Sequence, residues 1–308
     1  MKWSPDGVIV CAASGTQDEP VVVFSSGGAV VFWRDHRGAS LDIYAQRIDA
    51  TGVTQWPTDG VPLATTSAEE SSPLAISDGA SGVTGQPGFI ALFNHIDTPH
   101  TQFAVRMQHV DVTGAGLWTP ATDGGVVLAS LMGAPGSLAL TTDGVGILNA
   151  PKGAVAAWQD IQPDLATSPD IHANRMGSGG VPQWGNGVAV CAAAGSQGDP
   201  AIVNVGGGNT IVAWADSRAT EADIYAQKLN SAGDVQWLAD GLIVCDTTGR
   251  QTTPRLASDL AGGAIVAWQD SRSGVPRIYA QRIDGNGQRL WVPRVASHCR
   301  AARAARPG

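Results

Sequence analysis

The sequence predicts an all-β chain, a β-propeller of five four-stranded blades forming one domain over residues 1–299. Three observations predict it. A motif recurs with a period near 53 residues. Between its recurrences lie runs of four to eight residues rich in Val, Ile, Phe, Trp and Tyr, split by Gly, Asp and Ser. No apolar stripe at helical spacing is sustained along the chain. A period of this size marks repeat architectures, and four-stranded units repeated radially make a propeller.

The first unit shows how each element is assigned. PVVVFSS gives strand A over 20–26, AVVFWRD strand B over 29–35 and DIYAQRID strand C over 42–49. Strand D is expected over 53–65, bulged at Asp59-Gly60. The five blades fall at 20–65, 73–130, 137–194, 200–246 and 254–299. An extra strand precedes them at 3–13, and an Ala/Arg-rich tail at 300–308 is expected to be disordered. Trp3, Trp56, Trp118, Trp184, Trp237 and Trp291 close or precede a unit, at spacings of 53, 62, 66, 53 and 54. The second and third units are therefore longer than the rest. Trp33, Trp158, Trp214 and Trp268 share one strand B position, where the second unit has Phe93. Tyr44, Tyr225 and Tyr279 share one strand C position. Nearly every large aromatic is thus committed to packing between blades, where each buries a large area. With D-like segments at both ends, the chain reads as a five-bladed ring with one redundant edge strand, or as a piece of a larger ring.

The turn after strand C reads D-x-x-G-x-x-x-W at Asp49-Gly52-Trp56, Asp111-Gly114-Trp118 and Asp284-Gly287-Trp291, with Asn230 and Gly177 in place of Asp in the other two units. With W-x-D-x-R on strand B and D-I-Y on strand C, the repeat resembles the Asp-box (BNR) repeats of sialidase-like propellers up to residue 291. The turn carries one residue more than the usual Asp-box and lacks the Ser before its Asp. The resemblance implies a structural hairpin: Asp bonds turn amides, Gly takes positive φ, and Trp packs between sheets. It also implies an exported protein, extracellular or on a cell surface, whose ligand face carries the D–A and B–C loops.

Composition excludes several classes. Lys plus Arg number 19 against 27 Asp plus Glu, a net −8 at pH 7, so no sequence-wide basic field awaits nucleic acid. No apolar run approaches the roughly 18 residues of a spanning helix, so membrane insertion is not expected. Cys11, Cys191, Cys245 and Cys299 include no C-x-x-C pair, which leaves a zinc site without its spacing. Three of them recur in Val-Cys, too far apart in a repeat array to bridge, and read as small buried hydrophobes. The N-terminal MKWSPDGVIV shows no signal-peptide h-region and begins in mid-repeat. A monomer, or a portion of a larger chain, is the expected state.

Candidate sites fall on the loop face. Asp35/Arg37, Asp216/Arg218 and Asp270/Arg272 repeat in three units, with Asp160 alone in the third. These pairs either meet a ligand or hold the B–C turn and the neighbouring blade, whereas Glu19 and Glu221, on the same loops, either meet a ligand or are ordinary solvated polar groups. Departures from the repeat carry more information, because structural residues recur whereas a site needs asymmetry. The second unit reads FNHIDTPHTQ, placing His95, Asp97 and His100 within six residues as candidate acid–base groups or metal ligands. The third unit offers Asp160, Asp164 and Asp170, followed by His172, as oxygen ligands for Ca²⁺, though without a D-x-D-x-D-G loop. No other cofactor is indicated. A sialidase would need a singular, exposed Tyr nucleophile, and all three Tyr sit at one packed position. The expected role is a non-catalytic recognition or scaffold module for a glycan or protein ligand. The alternative is a glycosidase or lyase using loop carboxylates and His.

Overall fold

The structure is a computed structural model, described here for residues 6–25, 27–79, 88–119, 124–144, 153–162 and 169–291. It is all-β among these residues. Blade one comprises β1 (Gln17–Ser25), β2 (Gly28–Asp35), β3 (Asp42–Asp49) and β4 (Val61–Ala64). Blade two comprises β5 (Glu69–Ser77), β6 (Gly88–Ile96), β7 (Phe103–Asp111) and β8 (Val126–Leu131). Blade three comprises β9 (Pro135–Thr142), β10 (Ala154–Asp160), β11 (Asp170–Met176) and β12 (Val188–Cys191). Blade four comprises β13 (Gln197–Gly206), β14 (Asn209–Asp216), β15 (Asp223–Leu229) and β16 (Leu242–Cys245). Blade five comprises β17 (Gln251–Ser258), β18 (Ala264–Asp270) and β19 (Arg277–Ile283). Each sheet is antiparallel with its strands in chain order, four-stranded in the first four blades and three-stranded among the described residues of the fifth. The place of a fourth strand in blade five, at 292–299, lies outside the described residues, as does the 300–308 tail.

Two strand boundaries depart from the sequence reading. Strand A begins at Gln17 rather than Pro20 and crosses a bulge between Asp18 and Val21, where Glu19 takes φ 50°. Strand D is only Val61–Ala64, because the chain first turns through Pro57–Gly60, with Asp59 and Gly60 both at positive φ. Within the predicted strand at 3–13, residues 6–13 form no ladder. They lie against blade one, where the Ala12 amide donates to Asp59 Oδ1 at 2.7 Å.

The C–D turn behaves as its residues require. Asp49 Oδ1 accepts from the Thr51 and Val53 amides, and Gly52 sits at φ 87°. The closing Trp of each of the first four blades then reaches across to the next blade's turn. Trp56 Nε1 donates to Val112 O, Trp118 to Ser178 O, Trp184 to Ser231 O and Trp237 to Gly285 O. Four apolar clusters follow among the described residues, one per junction between consecutive blades. In each, the forward face of one blade packs on the rear face of the next, as Ile43 and Ala45 do on Phe89 and Phe93. Covered on both faces, central strands read as continuous burial; β6 is buried from Gly88 to His95.

Candidate functional site

The Asp/Arg pairs form one latch, built three times. Asp35 is fully buried at the end of β2. Its Oδ2 accepts from Trp33 Nε1 at 2.7 Å and Arg37 Nη2 at 2.7 Å, and its Oδ1 from the Arg37 amide and Nε at 2.9 Å each. Arg37 Nη2 also reaches Asp59 O at 2.8 Å and Cys11 Sγ at 3.3 Å, while the guanidinium stacks 3.8 Å above Tyr44. Blade four repeats the set with Trp214, Asp216, Arg218, Cys191, Asp240 and Tyr225. Blade five repeats its core with Trp268, Asp270, Arg272, Cys245 and Tyr279. Each Cys comes from the segment preceding the blade it latches. The latch therefore ties a B–C turn to the strand D position behind it.

Burial alone would raise these three Asp carboxyls. The Arg, Trp and backbone bonds outweigh it and hold all three below the usual carboxylate range. Burial pushes the Cys191 thiol up to about 12, so it stays protonated. The three described cysteines are unbridged. Opposite each latch in blades one and four stands a second Asp. Burial, with the charges of Glu70 and Asp35 adding and the Ser40 hydroxyl opposing, lifts Asp42 to about 6. Burial and the charges of Asp246, Asp216 and Glu221 lift Asp223 to about 6. Glu19 accepts from the Ser72 amide of blade two at 2.8 Å, and Glu221 from the Gly249 amide at 2.6 Å, so both span neighbouring segments.

Blade two breaks the latch. By strand register His95 stands where Asp35 does, Glu70 replaces Gln17, and Arg106 replaces Tyr44. Glu70 is fully buried. Its Oε1 accepts from His95 Nδ1 at 2.9 Å and from Thr66 Oγ1 at 2.7 Å. Its Oε2 is buried with no hydrogen-bond partner among the described residues. A carboxylate at Nδ1 fixes the imidazole proton there and leaves Nε2 as the accepting nitrogen. The ring lines a cleft of about 200 Å³, together with Thr101, Gln102, Phe103, Arg106 and Ser130. Arg106 Nη1 donates to Gly124 O at 3.2 Å. Burial pulls its guanidinium below the usual range, and the Glu70 charge opposes that shift. A carboxylate-oriented imidazole at a polar cleft can give or take a proton.

The three second-unit candidates are not brought together. His95 turns inward to Glu70. Asp97 caps its own loop, accepting from the Thr101 and Gln102 amides, and the Gln102 bond above all holds its carboxyl low. His100 is exposed, with Nε2 3.9 Å from Glu69 Oε2. Sequence reasoning missed Glu70 as the partner of His95. The signal was there: three residues before Pro73, Glu70 takes the place that Gln17, Gln197 and Gln251 hold before their own prolines.

In blade three Gln162 replaces the latch Arg and donates to Asp160 Oδ2 at 2.9 Å. Asp160 faces Asp170 across the β10–β11 ladder, with His172 Nε2 4.0 Å from Asp160. Asp164 lies outside the described residues. Among those described, no three His, Cys, Asp or Glu side chains converge to hold a metal ion.

No family model and no curated protein matches the chain. Solved structures similar in outline include an exo-β-1,3-galactanase from Phanerochaete chrysosporium, at 13% identity and a TM-score of 0.42, aligned over 94% of this chain and 65% of that one. An endo-arabinase from Bacteroides thetaiotaomicron aligns at 11% identity and a TM-score of 0.39, over 91% of this chain and 99% of that one. A Hadza microbial sialidase aligns at 12% identity and a TM-score of 0.45, over 88% and 57%. Similarity at this level assigns no activity. No helix among the described residues is long and apolar enough to cross a membrane.

Proposed function

We propose that the chain is a carbohydrate-directed β-propeller that takes its ligand in the blade-two cleft and works on it by acid–base chemistry at His95. One observation carries the reading: among the described residues, the position that closes a structural latch in blades one, four and five holds a Glu70–His95 dyad in blade two. The lining supports a hydroxyl-rich ligand, since Thr101, Gln102 and Ser130 supply hydrogen bonds beside Phe103 and Leu131. Hydrolysis by two flanking carboxylates has less support, because Asp35, Asp216 and Asp270 are each clasped by arginine. Proton abstraction by Nε2, as a lyase requires, matches the dyad better. An extracellular setting goes with such a ligand.

The test is a glycan array exposed to the wild-type chain and to His95→Asn, and read for bound protein and for released sugar. Asn keeps a donor near the Nδ1 position for Glu70 and removes Nε2. Release by wild type and none by His95→Asn, with binding retained, supports the reading. Binding without release by either protein assigns a recognition module instead. No binding and no release on any spot overturns the carbohydrate reading.

A further inference from the structure

An imidazole is a weak base, and a sugar carbon gives up its proton to one only where the charge left behind is spread and held. The carbon beside a carboxylate meets that condition when a cation grips the carboxylate. The blade-two cleft supplies such a cation: among the described residues that line it, Arg106 is the one lysine or arginine. Register explains how it comes to stand beside the base. β6 and β7 pair with His95 opposite Ala104 and Phe93 opposite Arg106. Side chains alternate along a strand, so His95, Ala104 and Arg106 rise from one face of the sheet. His95 and Arg106 are diagonal neighbours on that face, a relation that sets side-chain roots about 7–8 Å apart. Ala104, with a single methyl, leaves the space between them open, and on β8 Ser130 stands opposite Ala104 and extends the row. Both side chains line the same cleft, so a carboxylate and the carbon that carries it can meet both at once.

In blades one, four and five the guanidinium comes from the B–C turn and closes on the buried Asp of the latch. In blade two it comes from β7, at the register position of Tyr44, and His95 stands where the latch Asp would. Arg106 Nη1 donates to Gly124 O at 3.2 Å, which anchors the side chain at one end. A guanidinium carries five donors in a planar fork that matches a carboxylate. We propose that the ligand of the blade-two cleft is a glycan of 4-linked uronic acids, with Arg106 gripping the uronate carboxylate while His95 Nε2 takes the proton from the carbon beside it. The proposal rests on the acid–base role of His95 given above. The electron pair of that C–H bond forms a carbon–carbon double bond, and the C–O bond to the neighbouring sugar, on the next carbon, breaks. The departing oxygen takes the proton from the imidazolium, so the base is restored and no co-reactant enters. The products are one chain ending in an unsaturated uronate and one ending in a new reducing end.

Polygalacturonate, alginate and hyaluronan, each beside its carboxyl-reduced form, test it with the wild-type chain, His95→Asn, Arg106→Lys and Arg106→Gln. Two signals are read: new reducing ends, which report any cleavage, and the ultraviolet absorbance of a double bond conjugated with a carboxylate. Wild type should raise both on at least one native polymer and neither on any reduced one. His95→Asn should abolish both. Arg106→Gln should lower kcat/KM by roughly 100-fold or more, the scale of losing one fixed donor to a developing charge. Arg106→Lys, which keeps the charge without the fork, should fall between. The comparison of native with reduced polymer uses wild type alone, so it decides even where an Arg106 variant fails to fold. Cleavage of the reduced forms as readily as the native ones overturns the proposal, and so does cleavage without the absorbance. An Arg106→Gln chain that melts like wild type and keeps its kcat/KM also overturns it. Inert uronates beside His95-dependent release from neutral glycans sink the uronate assignment alone, whereas silence on every glycan sinks the carbohydrate reading with it.

Discussion

At the scale of single residues, the loop face holds carboxyls pushed in opposite directions. Asp35, Asp216 and Asp270 are held low, so the stability they contribute is present above the ordinary carboxylate range and is lost as pH falls. Asp42 is raised to about 6, so folding binds its proton more tightly than the unfolded chain does. The stability linked to that proton is present in acid and is lost as pH rises through about 6. Asp42→Asn removes the cost of ionising a buried carboxyl. The variant should melt above wild type at about pH 7.5, and the gain should disappear near about pH 4. A pH series of thermal melts reads the difference. Arg37, Arg218 and Arg272 gained their partners legibly, since Asp two residues before Arg is written in the sequence three times. The Cys that completes each latch was not legible as a partner, because it comes from the preceding repeat and only packing brings it there.

At the scale of elements, the repeat was legible wherever a residue type had one possible job. Trp33 and Tyr44 pair across β2 and β3, as the shared positions in the sequence imply. Strand D was overdrawn because alternation alone does not reveal a turn at Pro57–Gly60. That turn is demanding. Gly60 has φ 86°, and a Cβ there would lie 2.6 Å from both Ala45 O and the Trp33 ring. Gly60→Ala should therefore destabilise the chain by about 1–3 kcal/mol, combining left-handed strain with a clash against a buried indole. Urea denaturation of the two proteins measures it. A loss no larger than that of an exposed-loop substitution would mean that the turn adjusts without disturbing the junction. The blade-two dyad was half legible. His95 stood out as a departure from the repeat, but its partner Glu70 lies 25 residues earlier, on the neighbouring strand of the sheet, and only register places the two together.

At the scale of the whole molecule, the same junction is built four times among the described residues, and stability in such arrays is close to a sum of unit and neighbour terms. That economy explains why the architecture was readable and the function less so. Residues that serve the junction recur, and recurrence is what a single sequence displays. A site appears once, so it shows only as a missing repeat. The central claim is a division of labour: the latches hold blades together, and the blade-two dyad meets the ligand. Arg218→Ala leaves the fully buried Asp216 without its cation, and should cost about 3 kcal/mol or more. His95→Asn keeps the bond to Glu70 and should cost little. The most direct measurement takes both variants through a thermal melt and a turnover assay on a glycan that the wild type converts. The account predicts that Arg218→Ala melts early yet turns over like wild type below its transition, and that His95→Asn melts like wild type and does not turn over. Turnover lost in Arg218→Ala while folded, and kept in His95→Asn, would contradict it.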